Sequence, residues 1–229
     1  MAAARCEVYL AGLELLQPGH GDLLDERERE RAARFRRQPD RDRFVLATAL
    51  LRAAAGRRLG CDPVVVELDR RCDHCGRQHG RPRLPGTGLQ ASISHSAELV
   101  AVALTGESAV GIDVEAMRAR DYEPLLPSVC SPDERHQVRS ASDFYAYWSR
   151  KEAFLKATGE GLRTPMTSLT VTGPASPPGL LTVRGGPAPP CGMADLPVPA
   201  GYAGAVAVLT AGEVAFEVLD SSQLLALRP

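Results

Sequence analysis

Two carboxylates set two residues apart are the first candidates for chemistry. In Val110-Gly-Ile-Asp-Val-Glu115 apolar and polar residues alternate, which fits a strand whose successive side chains face opposite ways. Val110, Ile112 and Val114 would share one face, and Gly111, Asp113 and Glu115 the other. Carboxylates roughly 7 Å apart on one face repel unless something positive sits between them. A hard cation such as Mg²⁺, taking oxygen ligands and keeping waters, would reconcile them. An edge strand with a solvated acidic face is the alternative.

The second candidate is Phe144-Tyr-Ala-Tyr-Trp-Ser-Arg-Lys-Glu-Ala-Phe-Leu-Lys156. At helical spacing Phe144, Tyr147, Trp148, Phe154 and Leu155 form one apolar face. Lys151 falls inside that face, while Glu152 and Lys156 sit on its border beside Tyr145. A surface ion pair worth about 0.3–0.5 kcal/mol would account for Glu152 and Lys156. It does not account for Lys151, because a lysine within an apolar face must snorkel or meet an anion. These are the chain's only two lysines among 27 basic residues; there is no Asn, and Ile occurs only at 93 and 112. Where coding bias replaces Lys by Arg, the lysines that remain are candidates for work that the planar guanidinium cannot do.

Three weaker signals follow. Ser92-Ile-Ser-His-Ser96 offers hydroxyls and an imidazole suited to a phosphate or sugar, with no adjacent acid to support a Ser–His nucleophile. Arg36-Arg37 with Arg41 and Arg43, and His79-Gly-Arg-Pro82, could hold phosphates or form solvated charged faces. Cys72-Asp-His-Cys-Gly-Arg-Gln-His79 is half of a zinc site with no second ligand pair, leaving zinc, a disulfide and simple thiols open.

The elements that must position these groups read as a mixed α and β order. Strands are expected at Cys6–Ala11, Val64–Leu68, Ala91–Ser96, Leu99–Leu104, Val110–Glu115, Thr167–Thr172, Leu180–Arg184, Ala203–Leu209 and Glu213–Leu219. Helices are expected at Asp25–Arg37 and Arg41–Leu59, from Ser131-Pro132 onward, and from an N-cap at Ser142 to Thr158. Residues 72–90 and 173–200 are rich in Gly and Pro and read as loop and irregular excursion.

The 229 residues are 44% hydrophobic and 24% charged, enough for a sizeable core and unlike a disordered chain. The net charge of −1 does not mark a nucleic-acid binder, and no apolar run is long enough for a membrane helix. The start, Met1-Ala-Ala-Ala-Arg-Cys, has no apolar signal core, so a cytoplasmic protein with mostly reduced cysteines is expected. Charge is split: residues 1–83 hold 17 arginines against 13 acids, and residues 84–229 hold 10 basic against 15 acidic residues. The halves could be two walls of one cleft, or ordinary solvated charge.

Together, Gly80-Arg-Pro82, Ser94-His-Ser96, Gly111-Ile-Asp-Val-Glu115 and Trp148-Ser-x-Lys-Glu-Ala-x-x-Lys156 resemble the 4′-phosphopantetheinyl transferase superfamily, of its longer, surfactin-synthetase-activating type. The resemblance covers about residues 34–170. It implies an α+β fold of two similar α/β halves related by a pseudo-two-fold, here 1–105 and 106–229, with the active site in the cleft between them. It implies transfer of 4′-phosphopantetheine from coenzyme A to a serine of an acyl or peptidyl carrier protein, with release of adenosine 3′,5′-bisphosphate. Asp113, Glu115 and Glu152 would hold Mg²⁺, and Glu152 would be ligand, general base or both, its pKa lowered by the metal and two lysines. Lys151 and Lys156 would neutralise the pyrophosphate. Ser94, His95, Arg36, Arg43 and Arg81 would contact coenzyme A, with Arg81 standing where the family commonly has Lys. Residues 116–141, with Met117, Leu125, Leu126 and Val129, are the expected carrier-docking surface. A monomer is expected, because two halves on one chain build the cleft internally. The arginine-rich composition points to polyketide, nonribosomal peptide or fatty acid synthases as clients. Other readings of the same residues are a differently acting Mg²⁺- or coenzyme A-binding protein and an arginine-rich zinc module.

Overall fold

The computed structural model describes residues 3–72, 75–118 and 122–226. The fold is α+β, with a long helix on each of two principal sheets. The larger sheet contains β1 (Ala4–Gly12), β2 (Asp69–Arg71), β3 (Gln78–Arg83), β4 (Gln90–Ser96), β5 (Leu99–Thr105) and β12 (Val214–Leu219), in the order β12-β1-β5-β4-β3-β2. The β1–β12 pair is parallel and its other pairs are antiparallel. The C-terminal strand therefore completes the sheet begun by the N-terminal one. Helix α1 (Glu26–Ala33) opens with a capping box between Asp25 and Glu28. Helix α2 (Gln38–Leu59) ends at Gly60, whose φ of +68° suits a residue without Cβ. Its Ala47, Ala49, Ala54 and Ala55 are all buried, and with Leu46, Leu50 and Leu51 they seat the helix on β1, β4 and β5.

The second sheet has the order β10-β11-β6, from β6 (Val110–Ala116), β10 (Cys191–Asp195) and β11 (Tyr202–Leu209), all antiparallel. Val110, Ile112 and Val114 enter a core shared with Cys6, Val8, Ala101 and Ala103 of the larger sheet. One-turn helices α3 (Leu126–Val129) and α4 (Pro132–Arg135) lead to α5 (Ala141–Thr158), which lies on β6 and β11. A small sheet of β7 (Leu169–Val171), β8 (Leu180–Val183) and β9 (Gly186–Pro187) follows, and α6 (Ser221–Leu225) closes the chain against α2.

Several expectations are corrected. Residues 64–68 are not a strand. Pro63–Val65 is a short 3₁₀ turn started by Pro63, with Asp62 accepting from the Val64 N–H, and Val64 and Val65 are exposed. The cap of α5 is Ser140, whose hydroxyl accepts from the Asp143 N–H, rather than Ser142. The glycine- and proline-rich segments also contain strands beyond the one expected at Leu180–Arg184: β3 lies within 72–90, and β9 and β10 within 173–200. Gly80 explains the first case. A Cβ there would lie 2.8 Å from the Arg71 carbonyl oxygen, so the close β2–β3 pairing uses its missing side chain.

Candidate active site

Gly111 determines how the site is assembled. A Cβ on it would sit 1.9 Å from the Ala153 carbonyl oxygen and 2.4 Å from the Ala157 nitrogen, so α5 rests directly on the β6 backbone. Two residues along the same face, buried Asp113 receives the Lys156 ammonium at Oδ1 at 2.7 Å, and Lys156 also donates to the Ser94 hydroxyl and the Ile112 carbonyl. The i,i+2 spacing in the strand and the i,i+4 spacing in the helix thus bring Asp113, Glu115, Glu152 and Lys156 into one cleft.

Strand β4 runs beside β6, which is an edge strand of its own sheet. Alternate serines of β4 engage that edge. Ser92 accepts from the Ile112 N–H and Ser96 from the Ala116 N–H; Ser94 donates to Asp113 and Ser96 to Glu115. Exposed edge groups that would otherwise be unpaired are satisfied by hydroxyls, and both acids are held in place. Sequence reasoning assigned these serines to a ligand and missed this role. The period-two Ser-x-Ser-x-Ser pattern was the available signal.

The cleft encloses about 1290 Å³. Arg70, Arg71, Arg81, Arg83 and His95 line it, together with Asp113, Glu115, Trp148, Glu152, Lys156, Glu160 and Arg163. Arg81 is held by Gln90 at 2.8 Å, with its other terminal nitrogen beside Gly159 after α5. His95 lines the cleft; the protein around it, then the charges of Arg43, Lys156 and Arg70, hold its pKa below the usual imidazole value. Arg43 does not line the cleft. It bonds the Ala97 carbonyl at 2.8 Å and pairs with Asp40, close enough to His95 to act on its charge. Arg36 is exposed in the turn between α1 and α2 and does not line the cleft.

Lys151 is a clear correction. It is fully buried and does not line the cleft, with its ammonium on Glu134 and on the carbonyl oxygens of Val129 and Met166. Glu134 in turn accepts from the Ser131 and Val171 N–H groups. The lysine in the apolar face has met an anion, as burial requires, and it reaches no ligand in the cleft.

In the cation-free protein Glu152 has a raised pKa. Burial and the negative charges of Asp113 and Glu115 outweigh Lys156 and hold its carboxyl above the usual 4.5. Glu115 is raised by burial and by Asp113. Among the described residues no three His, Cys, Asp or Glu side chains converge as a ready metal cage. The donor set nonetheless fits a hard cation: three carboxylates share the cleft, two resist ionisation, and Asp113 Oδ2 is buried without a partner. Glu152→Gln is therefore expected to raise the melting temperature of cation-free protein at pH 7.5. A carboxylate with a raised folded pKa costs stability above that value, and the cost fades as pH falls through it towards 4.5. The gain should vanish near pH 4.5, and most of the stabilisation by added Mg²⁺ should go with it. Scanning calorimetry across pH would show this; a variant less stable at every pH would contradict it.

Cys72 lines the cleft, whereas Asp73 and His74 of the cysteine motif lie outside the described residues, as does the side chain of His79. In the expected docking segment Val129 is buried and Leu126 and Met117 pack on the α5 core, while Leu125 is exposed along with most of the polar residues around it; residues 119–121 are not described.

Carboxylates, a lysine and several arginines in one cleft form an arrangement able to engage an anionic group. A family model described as the 4′-phosphopantetheinyl transferase superfamily matches residues 109–207. The 4′-phosphopantetheinyl transferase HetI of Nostoc sp. is 35% identical over 188 residues, 74% of this chain and 77% of that one. A 4′-phosphopantetheinyl transferase of Bacillus subtilis is 29% identical over 63% of this chain and 64% of its own, and the Sfp enzyme of that species 26% identical over 65% and 66%. The chain belongs to the 4′-phosphopantetheinyl transferase superfamily, a family of transferases.

Proposed function

We propose that this protein transfers 4′-phosphopantetheine from coenzyme A to a serine hydroxyl of an acyl or peptidyl carrier protein, with Mg²⁺ held by Asp113, Glu115 and Glu152. The observation that carries the reading is the unpartnered, buried Asp113 Oδ2 in an acidic corner closed by Lys156 and faced by arginines. The cation, when bound, supplies charge neutralisation at the donor's pyrophosphate.

The chain's own groups supply the rest. Lys156 already donates at this corner and would orient and neutralise the same oxygens. Glu152, beside the same corner, would be the proton acceptor for the carrier serine. The serine Oγ bonds to the β-phosphorus as the bond to the bridging oxygen breaks; the serine proton goes to the Glu152 carboxylate, and adenosine 3′,5′-bisphosphate leaves. Arg81 and His95, with Arg43 behind His95, would hold the nucleotide end. The reading includes a cytoplasmic monomer, since every proposed site residue is on one chain, with carrier domains of polyketide, nonribosomal peptide or fatty acid synthases as clients.

The test is intact-mass spectrometry of an apo carrier incubated with the protein, coenzyme A and Mg²⁺. The carrier should gain one phosphopantetheine, and EDTA or Glu152→Ala should prevent it. Several carriers left unmodified while coenzyme A still binds would overturn the transfer reading.

A further inference from the structure

Strand β4 ends in a turn that is held from several sides. Ser96 pairs with Leu99, so Ala97 and Glu98 form a two-residue turn between β4 and β5. Ala97 has a φ of +46°, a left-handed backbone that glycine ordinarily takes in such turns. That conformation costs free energy and persists only where the surroundings over-determine it. Three bonds do so here. Arg43 on α2 donates to the Ala97 carbonyl at 2.8 Å, the Leu13 N–H donates to the Glu98 carbonyl at 2.8 Å, and the Glu98 N–H donates to the Tyr202 hydroxyl on β11 at 3.0 Å.

The side chain carried into this turn is Ser96. Tyr202 pairs with Ala116 between β11 and β6, so the clamp reaches the strand that bears the carboxylates. The Ser96 hydroxyl accepts from the Ala116 N–H at 3.1 Å, and its one proton goes to Glu115 Oε2 at 2.8 Å. Among the described residues Glu115 has no other hydrogen bond or ion pair. Asp113 differs, because Lys156 and Ser94 both hold it. A carboxylate on a flexible stem must be immobilised before it can ligate a cation, and a partner that immobilises it in advance raises the affinity.

We propose that Ser96 is a positioning residue that fixes Glu115 as a cation ligand, and that the strained Ala97 turn, clamped by α2 and β11, aims it. This rests on the proposed cation site. Ser96 itself touches neither cation nor donor; it acts through Glu115, leaving the other carboxylate oxygen available.

The experiment follows melting temperature against Mg²⁺ concentration, without donor or carrier, for wild type, Ser96→Ala, Ser96→Thr and Ser92→Ala. Ser96→Ala should need about tenfold or more Mg²⁺ to reach half of the full shift. Ser96→Thr keeps the hydroxyl and should stay within about threefold of wild type. Ser92→Ala removes the acceptor of the Ile112 N–H without touching a carboxylate, so it should melt earlier yet keep its Mg²⁺ midpoint within about twofold. In the carrier assay the Ser96→Ala deficit should disappear at saturating Mg²⁺, with KM for coenzyme A unchanged. An unchanged Ser96→Ala midpoint, an equal rise in Ser92→Ala, or a Thr variant as impaired as Ala would overturn the proposal. So would a KM for coenzyme A raised at every Mg²⁺ concentration, which would make Ser96 a donor ligand. A wild type that Mg²⁺ does not stabilise sinks the cation reading beneath, whereas a normal wild-type response with an unchanged variant sinks this inference alone.

Discussion

Gly111→Ala is expected to cost about 1–3 kcal/mol of stability and to cut carrier modification by about 100-fold. The added methyl would meet the backbone of α5 at Ala153 and Ala157, neither of which can rotate away. The helix must lift from β6, and the displacement acts where it does most harm. Asp113 and Glu115 are fixed to β6, while Glu152 and Lys156 ride on α5, so the cluster opens along the line between them. The Lys156–Asp113 bond should lengthen, and stabilisation by Mg²⁺ should fall with activity. Calorimetry with and without Mg²⁺, beside the mass assay, would check both. Unchanged melting and wild-type turnover would mean that α5 does not rest on Gly111.

Lys151→Met should be the most destabilising single change in the α5 motif. It removes the cation from a buried pair and leaves Glu134 charged and enclosed, at a cost of about 3–5 kcal/mol. For a chain of this size that is a fall of roughly 10 °C in melting temperature. Adding Glu134→Gln should return part of the loss, because the enclosed group is then neutral and the two effects are not additive. Kinetics distinguish this account from a ligand role. Assayed well below the melting temperature, Lys151→Met should keep its KM for coenzyme A. A KM raised tenfold with little loss of stability would return Lys151 to the cleft.

Lys151 also illustrates what could be read from the sequence. The helical wheel placed it in an apolar face and required an anion; the resemblance to a family suggested a pyrophosphate instead. The physical requirement was right, but its partner, Glu134, comes from a one-turn helix 17 residues earlier that no periodicity could bring there. Asp113, Glu115, Glu152 and Lys156 were legible because strand and helix periods fix which residues share a face. The bond from Ser96 to Glu115 was not legible: β4 and β6 belong to different sheets, and neither strand's own period says which partner its side chains meet. Strands β3 and β10 were hidden by Gly and Pro, residues that a short or edge strand tolerates when its neighbours, rather than its own propensity, hold it in the sheet.

The chain contains one tryptophan, and it lines the cleft on the helix turn before Glu152, with its indole nitrogen buried and unpartnered. All indole emission from this protein therefore comes from a single point beside the reacting groups. A fluorescence titration of the unaltered protein reports cleft occupancy without a label, and donor, cation and carrier can be followed one at a time in the order they are added.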